Sequence, residues 1–289
     1  MAACYLAWGM GTTWAWDGFA PLGAVLTGLA IVLHSSLQHE VLHGHPFRRP
    51  RLNEALVFVG LGLMYPYRRF RDTHLAHHFD ENLTDPYDDP ESNYLHPARW
   101  GRLPRWARRL LRWNNTLAGR MAFGPAIGAV VFCGDDLRAI LRGDRVIRRD
   151  WALHALGLVP VALWLWSVAE MPVWAYLGCA YGAMSVLKIR TFLEHQAHER
   201  ARGRTVIVED RGPLALLFLN NNLHSVHHTH PTVAWYRLPA LYAARREAFL
   251  AKNEGYRYGS YGEVFRAHLW RAKDPVPHPL RRALPPPGP

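Results

Sequence analysis

The 289-residue chain carries 34 Lys and Arg against 23 Asp and Glu, a formal charge of +11, and 49% of it is hydrophobic. A mean hydropathy of −0.13 excludes a chain built of membrane spans alone, and three scattered cysteines (Cys4, Cys133, Cys179) exclude a disulfide framework or a thiolate metal site. Charge is segregated: no Lys or Arg precedes Arg48, none falls between Asp150 and Leu187, and both of these blocks are apolar.

In chain order, residues 3–18 and 20–38 read as a helical hairpin turning at residues 17–20, with Trp14, Trp16 and Phe19 at the turn as interfacial aromatics sit. Each arm is slightly short of the ~20 residues that cross a bilayer core. The first residues lack a basic region and a small-residue cleavage site, so no removable signal peptide is expected. The second arm runs into His39-Glu40-Val41-Leu42-His43. Residues 55–67 are apolar but too short to span, which predicts a buried or interfacial segment. His74-Leu75-Ala76-His77-His78 follows, and then an acidic, proline-containing loop at residues 80–93. Residues 99–112 set six Arg among Trp100, Trp106, Leu110 and Leu111, an amphipathic basic helix suited to anionic headgroups or simply a solvated face. Residues 121–133 read as a short interfacial piece. Residues 151–169 and 172–190 repeat the hairpin around Glu170-Met171-Pro172, flanked by Trp164, Trp166, Trp174 and Tyr176, and lead into Glu194-His195-Gln196-Ala197-His198. A short strand or hairpin is expected near residues 205–208, an amphipathic helix over residues 239–271, and disorder over the tail, residues 276–289.

This pattern predicts an all-α integral membrane protein. Four transmembrane helices form two hairpins, and a cytoplasmic helical cap (residues 39–150 and 191–275) holds a histidine-rich dimetal site, all within one domain over residues 1–275. The positive-inside rule puts the basic blocks, the histidine clusters and both termini on the cytoplasmic side of an inner or plasma membrane.

Ten of the 17 His lie in four short windows. Imidazole ligates Fe, Cu, Zn and Ni. Spacings of three and four residues put His on one helix face, and the adjacent second His of each HxxHH points about 100° away, so one segment can address two ions. His39–His43 also matches HExxH, in which two His bind zinc and the Glu is a general base, so an intramembrane zinc protease is the rival reading. That reading leaves both HxxHH clusters without a role. A metal transporter would set such ligands within its spans, and a bis-His haem site needs fewer His. Nucleic acid is not an expected partner, because the Trp and Leu interleaved with the Arg stripe favour a membrane surface. Asp85 either backs a ligating imidazole or makes an Asp-Pro turn, and Asn220–Asn222 either cap a helix or back a ligand. His45, His96, His154, His230, His268 and His278 are isolated and read as structural or solvated, with His230 near enough to the third HxxH to support it.

The order HxxxH, HxxHH, HxxHH between paired apolar helices resembles the membrane fatty acid desaturase superfamily, which includes acyl desaturases, alkane monooxygenases, and carotenoid hydroxylases and ketolases. The resemblance covers roughly residues 20–240 and includes His39-Glu40-x-x-His43-Gly44, His227-His228-x-x-Pro231, and Trp235 to Pro239. Thr191-Phe192-Leu193-Glu194-His195 is similar to the family's additional ligand position, which carries that role to His195, with His198 as the alternative. The resemblance implies a non-haem diiron centre held by His39, His43, His74, His77, His78, His195, His224, His227 and His228, with Glu40, Asp85, Glu194 and Asn221 as groups behind the ligands. It implies O2 as co-substrate and attack on an unactivated C–H bond of a lipid-like substrate. The expected reaction is acyl desaturation, with a hydroxylase, ketolase or alkane monooxygenase as the alternative. No cytochrome-b5-like domain lies within these residues, which implies a separate electron donor, ferredoxin- or rubredoxin-like with its reductase.

Overall fold

Thr13 interrupts the first apolar segment. In the computed structural model, which describes residues 1–78 and 81–281, helix α1 (Ala2–Thr12) stops where Thr13 takes φ −116° and ψ −104°, and α2 (Trp14–Gly18) resumes after it. The cause is local. The Thr12 and Thr13 hydroxyls donate to the Gly9 carbonyl at 3.1 and 2.8 Å, competing with the helix ladder for it. The freed Thr12 carbonyl accepts from the Glu170 and Met171 amides, both at 3.0 Å. The arm expected over residues 3–18 is thus broken in two, and its break is tied to the second aromatic-flanked turn.

The remaining helices in order are α3 (Ala20–Leu42), α4 (Pro50–Leu56), α5 (Tyr67–His77), α6 (Pro97–Arg102), α7 (Arg105–Asn114), α8 (Leu117–Leu141), α9 (Arg145–Ser167), α10 (Val173–Thr191), α11 (Pro213–Leu217), α12 (His224–Thr229), α13 (Leu238–Ala244), α14 (Arg246–Lys252) and α15 (Tyr261–His268). Strands β1 (Ile207–Val208) and β2 (Arg257–Tyr258) form one parallel pair. By internal packing the chain divides into two units.

The first unit comprises residues 1–72, 125–187 and 216–219. Here α1 and α2 lie antiparallel to α3. Cys4 Sγ reaches the Ala30 carbonyl, and a Cβ on Gly11 would come within 2.6 Å of Thr27 Oγ1. One on Gly23 would come within 2.6 Å of the Trp16 Cα, so both positions need glycine for this approach. Residues 57–66 have no regular structure and are buried or half-buried, Val57 and Leu61 completely, as the length of that apolar stretch predicts. Tyr176 pins them: its hydroxyl donates to the Leu61 carbonyl at 2.7 Å and accepts from Trp8 Nε1 at 3.0 Å. Asp136 joins Arg69 (2.7 Å) and Trp151 Nε1 (2.8 Å).

Among the described residues two helices, α3 and α8, are long and apolar enough to cross a membrane. Helix α8 corrects an expectation: residues 121–133 are the middle of a continuous 25-residue helix that carries Pro125 without breaking. Helices α9 and α10 occupy the two arms expected after residue 150, with 23 and 19 residues. Asp144 starts α9 earlier than expected, its Oδ1 accepting from the Val146 and Ile147 amides at 2.9 and 3.0 Å. Leu156, Val159, Leu163, Trp166, Val173, Trp174 and Leu177 on these two helices are exposed, an apolar surface that water does not suit.

The second unit comprises residues 73–124, 188–215 and 220–289. Ile207, Leu223, Val226, Leu238, Tyr242 and Phe249 form its core around the strand pair. The helix expected over residues 239–271 is instead three short helices and a strand, because Glu254 and Gly255 turn the chain at φ 55° and 77°. The tail also differs from expectation in its first residues: Val276 and His278 are buried, and the Val276 carbonyl and His278 amide bond to Leu95 at 2.9 Å each. The rest of the expected disordered tail, residues 282–289, lies outside the described residues.

Candidate metal centre

Helix α5 delivers His74 and His77, and His78 follows its end with its amide on the His74 carbonyl at 3.2 Å. His195 follows α10. Val206 ties this segment to α12, since its amide bonds the Glu194 carbonyl (3.1 Å) and its carbonyl accepts from the Ser225 amide (2.9 Å). Leu219 and Asn220, at φ 50° and 56°, turn the chain into α12, which carries His224, His227 and His228. All seven of these imidazoles belong to the second unit. His39 and His43 belong to the first, at the end of α3, with ring centroids 4.9 Å apart.

Within the second unit, His77, His195, His224 and His228 each offer a ring nitrogen within 4.8 Å of the others. His195 Nε2 lies 2.8 Å from His77 Nε2 and 3.1 Å from His224 Nε2. On the far sides of those rings, His77 Nδ1 donates to Asp89 Oδ1 at 2.7 Å and His224 Nδ1 to Asn221 Oδ1 at 3.1 Å. Asn221 Nδ2 donates in turn to Glu194 (3.2 Å), which pairs with Arg190 at 2.9 Å. Asp89 is fixed by the Thr84 and Glu91 amides, at 2.8 and 2.9 Å. His74 Nδ1 meets Glu91 at 3.0 Å, and His78 stacks on His228 with centroids 4.2 Å apart.

This arrangement fits a cation. A neutral imidazole that donates Nδ1–H presents only a lone pair at Nε2. In their neutral forms His77 and His224 both do so, and both abut His195 Nε2, which carries one proton at most. A metal ion satisfies all three, and the carboxylates behind the rings are the partners that metal-ligating His acquires. In the metal-free cluster, burial alone would push His77 down, but Glu91 and the hydrogen-bonded Asp89 outweigh it and raise it to about 9. Burial first, and the neighbouring rings second, hold His195 and His224 well below the ordinary value. Burial would raise Glu91, yet His74 and His77 hold it below the usual carboxylate range.

The other expected groups sort clearly. Glu194 and Asn221 stand behind His224, as above. Asp85 does not back an imidazole: it accepts from the Tyr87 and Asp88 amides at 2.9 and 3.1 Å, the geometry of an Asp-Pro turn, and pairs with Arg281. Asp89 and Glu91, further along the same acidic loop, fill that place; the acidic run itself was the only sequence signal for them. His198 lies apart from the four-ring cluster, with its Nε2 3.5 Å from Glu254. Glu40 is buried within α3 in the first unit.

The sequence model of the fatty acid desaturase family matches residues 15–260. The chain belongs to this family. It is similar to a β-carotene ketolase of Paracoccus sp. strain N81106 / MBIC 01143, 25% identical over 227 residues that cover 77% of this chain and 76% of that one. It is also similar to a β-carotene ketolase of Paracoccus sp. strain PC1, 26% identical over 253 residues covering 82% and 86%. The chain is therefore an oxidoreductase of the desaturase, hydroxylase and ketolase superfamily. Membership brings a membrane setting and a lipid-like substrate, and the HExxH pattern at His39–His43 falls inside the matched region rather than marking a zinc protease.

Proposed function

We propose that this desaturase-family protein is an O2-dependent diiron oxygenase that converts a ring methylene of a long isoprenoid such as a carotenoid to a ketone. The observation that carries the metal reading is the set of convergent imidazoles with Asp89 and the Asn221–Glu194 pair behind them. In this reading one ion is held by His77, His195, His224 and His228. The order of the three histidine motifs supports His39, His43, His74, His78 and His227 as the remaining ligands of the diiron set. The ions would supply O2 reduction and hydrogen abstraction from carbon, with electrons from an external ferredoxin- or rubredoxin-like donor. The chain's own part is positional. Asp89 and Asn221 accept the Nδ1 protons and so keep lone pairs at Nε2, Arg190 offsets the charge of Glu194, and burial keeps bulk water from the ring nitrogens.

The ketolase choice rests on the two relatives, whose similarity covers more than three quarters of both chains in each case. Methylene oxidation takes two successive oxygen insertions, each using one O2, two electrons and two protons, and ends with loss of water. A second reading, acyl desaturation, is favoured by the description of the family itself and yields an alkene with no oxygen gained. Mass spectrometry decides between them. Iron-loaded protein given O2, a reducing system, and either a carotenoid with unsubstituted rings or an acyl lipid should turn over the first to a ketone. Desaturation of the acyl lipid with an untouched carotenoid would replace the ketolase reading by the second.

For orientation, the charge pattern supports four crossing arms: α1 with α2, α3, α9 and α10. The turn at Glu170–Met171 then lies on the outer side with Thr12, to which it is bonded, and the Arg-rich segments lie in the cytoplasm. Helix α8 is long enough to cross. However, Arg142, Arg145, Arg148 and Arg149 follow it at once, so we place it along the inner interface.

A further inference from the structure

His195 differs from its neighbours in one respect. Behind His77 stands Asp89, behind His74 stands Glu91, and behind His224 stands Asn221 with Glu194. His195 turns Nε2 toward the cluster, and its Nδ1 is shielded from solvent with no hydrogen bond to any described residue. A buried donor left without an acceptor is costly, which is a reason to look for its partner.

The same ring lines a small, partly open cavity of about 20 Å³, together with Asn93, Tyr94, Asn115, Arg120, Phe192, Lys273 and Asp274. A volume of ~10–15 Å³ admits one water, provided two to four polar groups surround it, and this wall is mostly polar. The wall is also organised around Asp274. Lys273 Nζ bonds the Asp274 carboxylate and, at 2.9 Å, the carbonyl of His195 itself. Asn115 Nδ2 donates to the Asp274 carbonyl at 2.9 Å and its Oδ1 accepts from Arg120 at 2.7 Å. The Tyr94 hydroxyl, on the same wall, accepts from the Ala197 amide at 2.9 Å. Lys273 and Asn115 thus hold Asp274, one by its carboxylate and the other by its backbone carbonyl, in the same wall as the unsatisfied imidazole, and all belong to the second unit.

We propose that Asp274 is a positioning residue for His195: a single water in this cavity accepts the His195 Nδ1 proton and donates to the Asp274 carboxylate. Through that water, Asp274 does for His195 what Asp89 does for His77, fixing the tautomer and the ring angle so that Nε2 keeps its lone pair for the ion. This rests on the metal reading above. It goes beyond it in assigning a role to a residue some 80 positions from the histidine and outside every histidine motif.

The test uses the full chain in detergent, loaded anaerobically with cobalt(II) or iron(II) alone. Asp274→Asn and Asp274→Ala should each weaken binding of one of the ions, by roughly 10- to 100-fold as carboxylates behind ligating histidines do, and change the visible spectrum of the cobalt form. The metal-free unfolding temperature serves as the control for a merely structural role. Wild-type affinity and spectrum in both variants would overturn the proposal, even if the unfolding temperature fell. Should neither variant fold, an experimental structure of the wild-type protein at a resolution that shows ordered waters decides: a water within hydrogen-bond reach of both His195 Nδ1 and Asp274 supports it, and a dry cavity overturns it. Wild-type protein that binds neither metal would instead remove the metal reading, and this inference with it.

Discussion

Two buried histidines of the first unit, His34 and His154, contrast with the ring cluster of the second. His34 meets the Tyr5 hydroxyl at 3.4 Å, and His154 Nε2 donates to the Leu63 carbonyl at 2.8 Å. Each of these two rings has one neutral hydrogen-bond partner among the described residues. In the second unit ring faces ring, Nε2 to Nε2, with acids behind. Burial is nearly the same, at 1% for His34 and 2% for His77. A buried histidine is therefore no sign of a metal, whereas lone pairs that converge with their protons drawn backwards are one.

The sharpest way to break this contrast is to exchange ring for ring. His77→Ala or His224→Ala should drop activity to background and lose iron, whereas His154→Gln should retain wild-type iron content, both measured by elemental analysis of purified protein. Equal losses would show that the contrast has no functional meaning. Next is the acidic loop. Asp89→Asn should weaken metal binding by roughly 10- to 100-fold, while Asp85→Asn should leave it unchanged and cost at most about 1 kcal/mol through the ion pair with Arg281. Metal titration and thermal unfolding of the pair separate the two effects.

Away from the metal, the first unit should respond in stability alone. Tyr176→Phe removes the hydroxyl between Leu61 and Trp8, and should destabilise by about 1–3 kcal/mol with iron content intact, as unfolding in detergent would report. The smallest effect concerns pH. The hydrogen bond from Arg246 leads, with Tyr242 and Arg257 adding to it against a smaller effect of burial, in lowering Glu209 from 4.5 to about 2. A lowered folded-state value means the stabilisation is present above pH 4.5 and fades as pH falls toward 2. Glu209→Gln should therefore flatten stability across that window by about 1 kcal/mol, since Arg246 and Arg257 are themselves partly solvated. Unchanged acid sensitivity in this variant would show that Glu209 is not the group that titrates.

Much of the site was legible because its signal is local. HxxHH on a helix sets three rings at fixed angles whatever the surroundings, so His74, His77, His78, His224, His227 and His228 could be named from spacing. What spacing does not carry is where a loop turns back. Asp85 stands beside a proline and spends its oxygens on its own turn, while Asp89 reaches His77 only because that turn reverses the chain. Asp274 was invisible for the same reason, brought to His195 by the packing of a late segment. In the fold, the break at Thr13 hung on two hydroxyls and a distant turn that claims the Thr12 carbonyl. The full length of α8 was masked by Pro125, which often ends a helix, and by the Asp135–Asp136 pair that looks like a terminus.

The central claim is that carboxylate-backed imidazoles in this chain hold a diiron centre, and the most direct measurement is the iron(II) stoichiometry of the wild-type protein after anaerobic reconstitution, with the His77→Ala, His224→Ala double variant as background. The account predicts about two irons per chain in the wild type, as expected of a two-metal site, with loss of binding in the variant. Iron in the wild type no higher than in the double variant would contradict it.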